Sequence, residues 1–228
     1  MPSFSSSSSS APQPPLPIEK RAVRVRRAER SAGAARTGGS APSSRLPADS
    51  LGYSLLLAAR VLAGVYAGKS LNPMLSLLAG EAAAARAAAQ DVVYGVLRAY
   101  GRGEFFLGRL MARPLSHAET RALLLAALYR LETRPEGVAM VVDQAVAASG
   151  ELSGGALKPV VNGVLRNFLR QRERLLVELR QDRNDAAYFQ HPAWWLARLR
   201  RAYPDDWRGI VAAGNGPPPM TLRVNTRR

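Results

Sequence analysis

From Ser50 to about Arg180 the apolar residues return every third and fourth position, and no segment alternates apolar with polar until Met220 to Val224. A period near 3.6 is the pattern of helices that bury one face, whereas a period of two marks a strand. The chain is therefore expected to be all-α, a bundle of helices joined by short links, with one short strand near the C-terminus. The helix boundaries follow from local chemistry. Asp49 or Ser50 can cap a first helix whose stripe is Leu51, Leu55, Ala58, Leu62 and Val65, with Gly68 ending it. Asn72 is placed as the cap and Pro73 as the first residue of a short second helix reaching Leu78. An alanine-rich stretch from Glu81 brings in Val92, Val93, Val96, Leu97 and Tyr100, and a further helical piece, Phe105 to Met111, stops before Pro114. Ser116 to Glu119 has the capping-box spacing ahead of Leu124, Leu125, Leu128 and Leu131, and Pro135 marks the end of that helix. Glu136 opens another, with Val138, Val141, Val142, Ala145 and Val146. The longest helical signal starts at Lys158 or Pro159 and runs to about Arg180.

The ends of the chain read differently. Met1 to Ala48 holds a serine run, four prolines between Pro12 and Pro17, and almost no apolar periodicity, so it is expected to be a disordered tail. Its basic residues, Lys20, Arg21, Arg24, Arg26, Arg27, Arg30, Arg36 and Arg45, outnumber Glu19, Glu29 and Asp49 up to the first helix. Such a segment reads as a solvated tail, as an electrostatic arm for RNA, or as an organelle-targeting peptide rich in Ser and Arg. The divisions expected are this tail at 1–48, a helical body at 49–182, a helical connector at 183–214, and a last piece at 215–228.

The 32 Lys and Arg against 17 Asp and Glu leave a formal charge of +15 at pH 7, which attracts a polyanion. A nucleic acid is the partner this favours over a membrane, because no apolar run is long enough to span one and the N-terminus lacks the form of a secretory signal. A soluble, cytoplasmic protein is expected. There is no cysteine, which excludes disulfides, thiolate metal sites and a cysteine nucleophile in this chain. His117 and His191 stand far apart and in no ligand spacing, so no metal is expected.

Within the longest helix Lys158, Asn162, Arg166, Arg170 and Arg174 recur every four residues. At about 100° per residue the row drifts by about 40° per step, so Arg166, Arg170 and Arg174 share a broad face. Three guanidinium groups there can contact successive phosphates. The same row also reads as a solvated face partly neutralised by Glu173 and Glu178. Gly163 inside the helix costs about 1 kcal/mol relative to Ala, which a close approach by another helix or by RNA backbone would rationalise. Further on, Pro192 reads as a helix-start residue and His191 as its local cap or loop residue. Trp194 and Trp195 point about 100° apart, so at most one faces a partner while the other packs. Asp205 and Asp206, beside Pro204, suit the start of another helix.

The segment KPVVNGVLRNFLR, beginning at Lys158, resembles the most recognisable signature of NusB-type RNA-binding domains. With DVVYGVLRAY, LMARPL, YFQHPAWWLARLRRAYPDDW and PPPMTLRVN it resembles the N-terminal part of the Sun/Fmu-type methyltransferases, which modify a cytosine at carbon 5 in small-subunit ribosomal RNA. The resemblance covers roughly Ser50 to Arg228. It implies a NusB-like helical bundle that docks substrate RNA, followed in the family by an RNA-recognition subdomain and a domain binding S-adenosylmethionine. It also implies a catalytic cysteine thiolate that this chain does not have, and the chain shows no glycine-rich turn between strand and helix. The expectation is thus a docking segment that stops before the catalytic part, holding no cofactor itself. Two other readings are a stand-alone NusB-like antitermination or regulatory factor that acts on transcription by binding RNA and a protein partner, against which the connector and PPPMTLRVN argue, and a helical protein-interaction scaffold without salt-dependent RNA affinity.

Overall fold

The computed structural model describes residues 45–181, 185–216 and 221–224. Most of the expected tail therefore lies outside the described residues. The first helix, α1 (Leu51–Tyr66), starts at Ser50, whose Oγ accepts from the Tyr53 amide at 3.1 Å and donates to the Pro47 carbonyl at 2.7 Å. It ends at Gly68, which adopts φ +90°, and the Gly68 and Lys69 amides return to the carbonyls of Val65 and Gly64 at 2.9 and 3.0 Å. The expected apolar stripe is only part of what α1 buries. Leu56, Leu57, Ala59 and Val61 are enclosed together with Leu55, Ala58 and Leu62. A helix apolar around most of its circumference needs neighbours on most sides, and only Arg60 in this stretch is exposed. Here α3 (Ala83–Arg98), α5 (Ala118–Thr133) and α6 (Val138–Ser149) supply them. Gly52 permits the close approach of α6: its amide donates to Gln144 Oε1 at 3.0 Å, and a β-carbon there would stand 2.9 Å from that oxygen.

The bundle is completed by α4 (Arg102–Leu110) and α7 (Lys158–Gln181). The inward face of α7 is Val161, Val164, Leu165, Phe168, Leu175 and Leu179. Phe168 meets Phe106 of α4 with ring centroids 5.2 Å apart, and both are fully buried. Arg172, half-buried on α7, donates to the Glu132 carbonyl at 3.3 Å and so ties the helix to the end of α5.

Two boundaries differ from expectation. The short α2 (Leu71–Leu75) has Ser70, not Asn72, at its cap position, and continues as a 3-10 turn, Ser76–Leu78. Pro73 then sits at the third helical position, which is harmless because the first-turn amides have no intrahelical acceptor to lose. At α5 the cap is His117, not Ser116. Its Nδ1 accepts from the Thr120 amide at 3.2 Å, and an imidazole nitrogen replaces the hydroxyl one residue later. Of the strand expected at Met220 to Val224, Met220 lies outside the described residues and no strand is formed by the rest. Residues 221–224 carry no regular secondary structure, with Leu222 73% and Val224 77% exposed. A strand needs a partner, and none occurs among the described residues.

The C-terminal helices α8 (Asp185–Phe189), α9 (Ala193–Ala202) and α10 (Trp207–Asn215) enclose a second, small core of Leu196, Trp207 and Val211. Ala187 of α8 instead belongs to the main core, with its Cα close to Gly101, where a β-carbon would come to 3.4 Å.

Replacing Phe168 by Ala is expected to cost about 3–5 kcal/mol, since its ring is fully buried and packed on Phe106 of α4. Urea unfolding followed by circular dichroism measures it, and a loss under about 1 kcal/mol would contradict the packing described.

Candidate nucleic-acid interface

The helix α7 carries six cations, Lys158, Arg166, Arg170, Arg172, Arg174 and Arg180, against Glu173 and Glu178. Arg166 and Arg170 lie about 160° around the helix from Phe168 on either side, which places both near its solvent apex. The five residues of the row are all on α7, but they do not form one uniform surface. Lys158 is exposed at the first turn, and its stem lies over Gly150, where a β-carbon would meet its Cε at 2.5 Å. Asn162 is half-buried, and its Oδ1 accepts from Arg166 Nε at 2.9 Å. The partner of Arg166 is a neutral amide, so no acid offsets the guanidinium there. Arg170 is exposed and makes no ion pair among the described residues. Arg174 is restrained by Gln171 and by Glu178, whose Oε1 lies 3.3 Å from Arg174 Nε. Glu178 also faces Arg109 Nε of α4 at 3.3 Å, so it is held between two guanidinium groups.

The drift of the row carries its members toward two different grooves. Asn162 and Arg166 border a groove against α6, floored by Val138, Val142, Val146 and Leu169, with Asp143 on its far side. Arg170 borders a second groove against the end of α4, together with Arg113, Gly163 and Asn167. Arg113 is exposed in the loop after α4 and was not singled out by the sequence pattern; its only signal is its place in LMARPL. Asp143 was missed as well, because one acid on an amphipathic helix carries no signal. Among the described residues, no atom of another element lies within 4 Å of where a Gly163 β-carbon would be, so helix packing does not account for that glycine.

The titratable groups with displaced pKa values are away from this face. Desolvation pushes the Tyr66 phenol up to about 12 and raises the Glu104 carboxyl, the latter against the pull of Arg121. Glu104 and Arg121 are paired at 2.5 Å between α4 and α5, which makes this a packing contact of the bundle. His117 is engaged as a cap, and His191 Nδ1 lies 2.8 Å from the Phe189 carbonyl, so both histidines have structural roles. No group of three or more potential metal ligands occurs among the described residues. No helix there is long and apolar enough to cross a membrane.

Comparison with known proteins gives two family matches in sequence order. Residues 54–170 match the NusB family, and residues 191–228 match the Methyltr_RsmF/B-like, ferredoxin-like domain. Over 173 residues the chain is 36% identical to the ribosomal RNA small subunit methyltransferase B of Pectobacterium atrosepticum, covering 74% of this chain and 40% of that protein. Proteins of the same name from two Escherichia coli strains are 41% and 40% identical over 146 residues, covering 61% of this chain and 32% of theirs. The chain thus spans two fifths or less of the length of these relatives.

The open space at Gly163 has a direct consequence for stability. Gly163→Ala is expected to stabilise the fold by up to about 1 kcal/mol and to raise the melting temperature by about 2–4 °C, since the added methyl meets nothing. Calorimetry checks this, and a lowered melting temperature would mean that the glycine serves the fold.

Proposed function

Because the chain belongs to the NusB family, we propose that it is the RNA-docking segment of a ribosomal RNA cytosine-C5 methyltransferase acting on small-subunit ribosomal RNA. The observation that carries this reading is the outer face of α7. Arg166 and Arg170 stand at its apex with no acid paired to either among the described residues, on a helix where cations outnumber acids three to one. Such groups bind phosphate oxygens in a way that positions RNA without reading its sequence. The names of the relatives and the order of the two family matches support the choice of ribosomal RNA and of methyl transfer. On this reading residues 49–182 are the docking body, 183–214 the connector and 215–228 the start of the methyltransferase region. The basic residues of 1–48 would add an electrostatic arm, and the protein would work in the cytoplasm.

The chemistry itself is not assigned to this chain. The methyl donor of the full-length family is S-adenosylmethionine, and the residues present do not fit it. No strand occurs among the described residues to form a strand–turn–helix cradle, and the sequence has no cysteine to add to a pyrimidine. The 228-residue chain, incubated with S-adenosylmethionine and small-subunit ribosomal RNA, is therefore expected to transfer no labelled methyl groups above a no-protein control. Transfer above that control would move the chemistry into this chain.

The docking reading is tested on the helix that motivates it. In Arg166→Gln/Arg170→Gln helix propensity is nearly unchanged while two charges leave the face. RNA affinity should fall for all sequences, and the slope of log affinity against log salt should become shallower by roughly 0.7 to 0.9 for each phosphate no longer neutralised. Thermal unfolding of the same variant should be unchanged, because both side chains are exposed. Unaltered affinity and slope in the folded variant would remove α7 from the interface.

A further inference from the structure

The fold treats two adjacent tryptophans of α9 in opposite ways. Trp195 stacks on His191, with ring centroids 4.4 Å apart and planes 18° from parallel, and packs with Leu199 against the small C-terminal core. Trp194 is 66% exposed, more than any other described aromatic ring. At i+4 and i+7 from it stand Arg198 and Arg201, both exposed. On a helix these three side chains fall within an arc of about 60°. Neither arginine has an ion pair among the described residues. Arg200, between them in sequence, behaves otherwise: it pairs with Asp185 at 2.8 Å and lies over the Trp207 ring at 4.2 Å. The arginine that holds α8, α9 and α10 together is engaged, and the two beside Trp194 are free.

We propose that Trp194, Arg198 and Arg201 form a second RNA contact, where a base of a single-stranded segment stacks on the Trp194 indole and the two guanidinium groups hold phosphates of the same strand. The inference rests on the reading that this chain binds RNA, and it adds a site on a different helix with a different chemistry. The α7 face offers charge alone, which suits a phosphate backbone in duplex or single strand. The α9 stripe adds an open π-face, which accepts a base only when that base is unstacked. Along the helix axis Arg198 lies about 6 Å and Arg201 about 10 Å from Trp194, within reach of the phosphates next to a stacked nucleotide for side chains of this length. Charge complementarity selects the occupant. An apolar protein surface laid over Trp194 would cover two guanidinium groups without partners, whereas a polyanion pairs with both.

The test uses the full 228-residue chain and tryptophan fluorescence, with a single-stranded oligouridine of about 12 nucleotides and an RNA duplex of equal length as probes. Trp195 and Trp207 are packed, so quenching by a stacked base reports on Trp194. The single strand is expected to quench and the duplex not. Trp194→Phe should abolish the quenching while keeping affinity within about threefold, because a ring remains. Trp194→Ala should weaken single-strand binding by roughly 5- to 150-fold, the range for removal of one stacking ring, with no change in melting temperature. Arg198→Gln/Arg201→Gln should make the single-strand salt slope shallower by roughly 0.7 for each phosphate no longer neutralised. If Trp194→Ala binds the single strand like the wild type, the site is overturned, while the docking reading stands so long as the wild type still shows salt-dependent affinity sensitive to Arg166 and Arg170. A lowered melting temperature in Trp194→Ala would overturn it too, assigning the ring to protein packing. Absence of RNA affinity in every form, wild type included, would sink both.

Discussion

The enclosure of α1 is the constraint from which the rest of the structure follows. Its residues Leu55, Leu56, Leu57, Ala58, Ala59, Val61 and Leu62 are buried around most of the helix, and in that stretch only Arg60 is exposed. Burying a leucine-sized side chain is worth about 1.5–3 kcal/mol, so exposing even one flank of α1 would consume much of the stability of a domain this size. Three helices are needed to cover it, and α3, α5 and α6 are those three. That arrangement leaves α7 at the periphery, packed against α6, α4, α5 and α8. A helix in that position keeps an outer face for other use. The cationic face of α7 is thus a geometric by-product of how the central helix is covered.

Most of this was legible in the sequence, and the failures have particular causes. Helices with one clear stripe, such as α7, were placed to within a residue or two. For α1 the stripe identified a core-facing helix but not the central one, because Leu56, Leu57 and Val61 look like scatter until three neighbours are present. The caps at α2 and α5 slipped by one or two positions. Ser70 and Asn72, or Ser116 and His117, are each able to sit at a helix start, and the choice depends on how the preceding loop arrives. The strand at Met220 to Val224 is a different kind of miss: alternation describes one edge of a sheet, and the described residues contain no second edge.

The candidate site was legible as composition and spacing but not as pairing. Period four located all five residues of the α7 row on one helix, and the drift of about 40° per step implied that they would spread. What spacing does not reveal is the competition for acids. Glu178 lies four residues beyond Arg174 and was readable as a neutralising partner, yet its second contact, Arg109, comes from α4, far earlier in the sequence. Arg113 enters the second groove by the same tertiary route. A guanidinium group open to phosphate is one the fold has not already engaged; Arg174 is engaged by Gln171 and Glu178 of its own helix, and Arg170 has no ion pair among the described residues.

The same reasoning explains why α9 differs from α7. The C-terminal helices have only Leu196, Trp207 and Val211 as a closed core, with Phe189, Trp195 and Leu199 packed on it. A core this small is unlike that of the bundle, and it leans on the bundle through Ala187 of α8. Within the C-terminal helices Asn215 adds a tie, its side-chain amide donating to the Phe189 carbonyl at 3.1 Å. One helix face suffices to close such a core. With Trp195 and Leu199 turned inward, helical geometry sends Trp194, Arg198 and Arg201 outward, since a step of one residue is about 100°. The two tryptophans were equivalent candidates until the position of the Leu196 cluster was known; once it is, only one of them has a free ring. In both helices the outward chemistry is set by which side the core takes, and in both the side left over is basic.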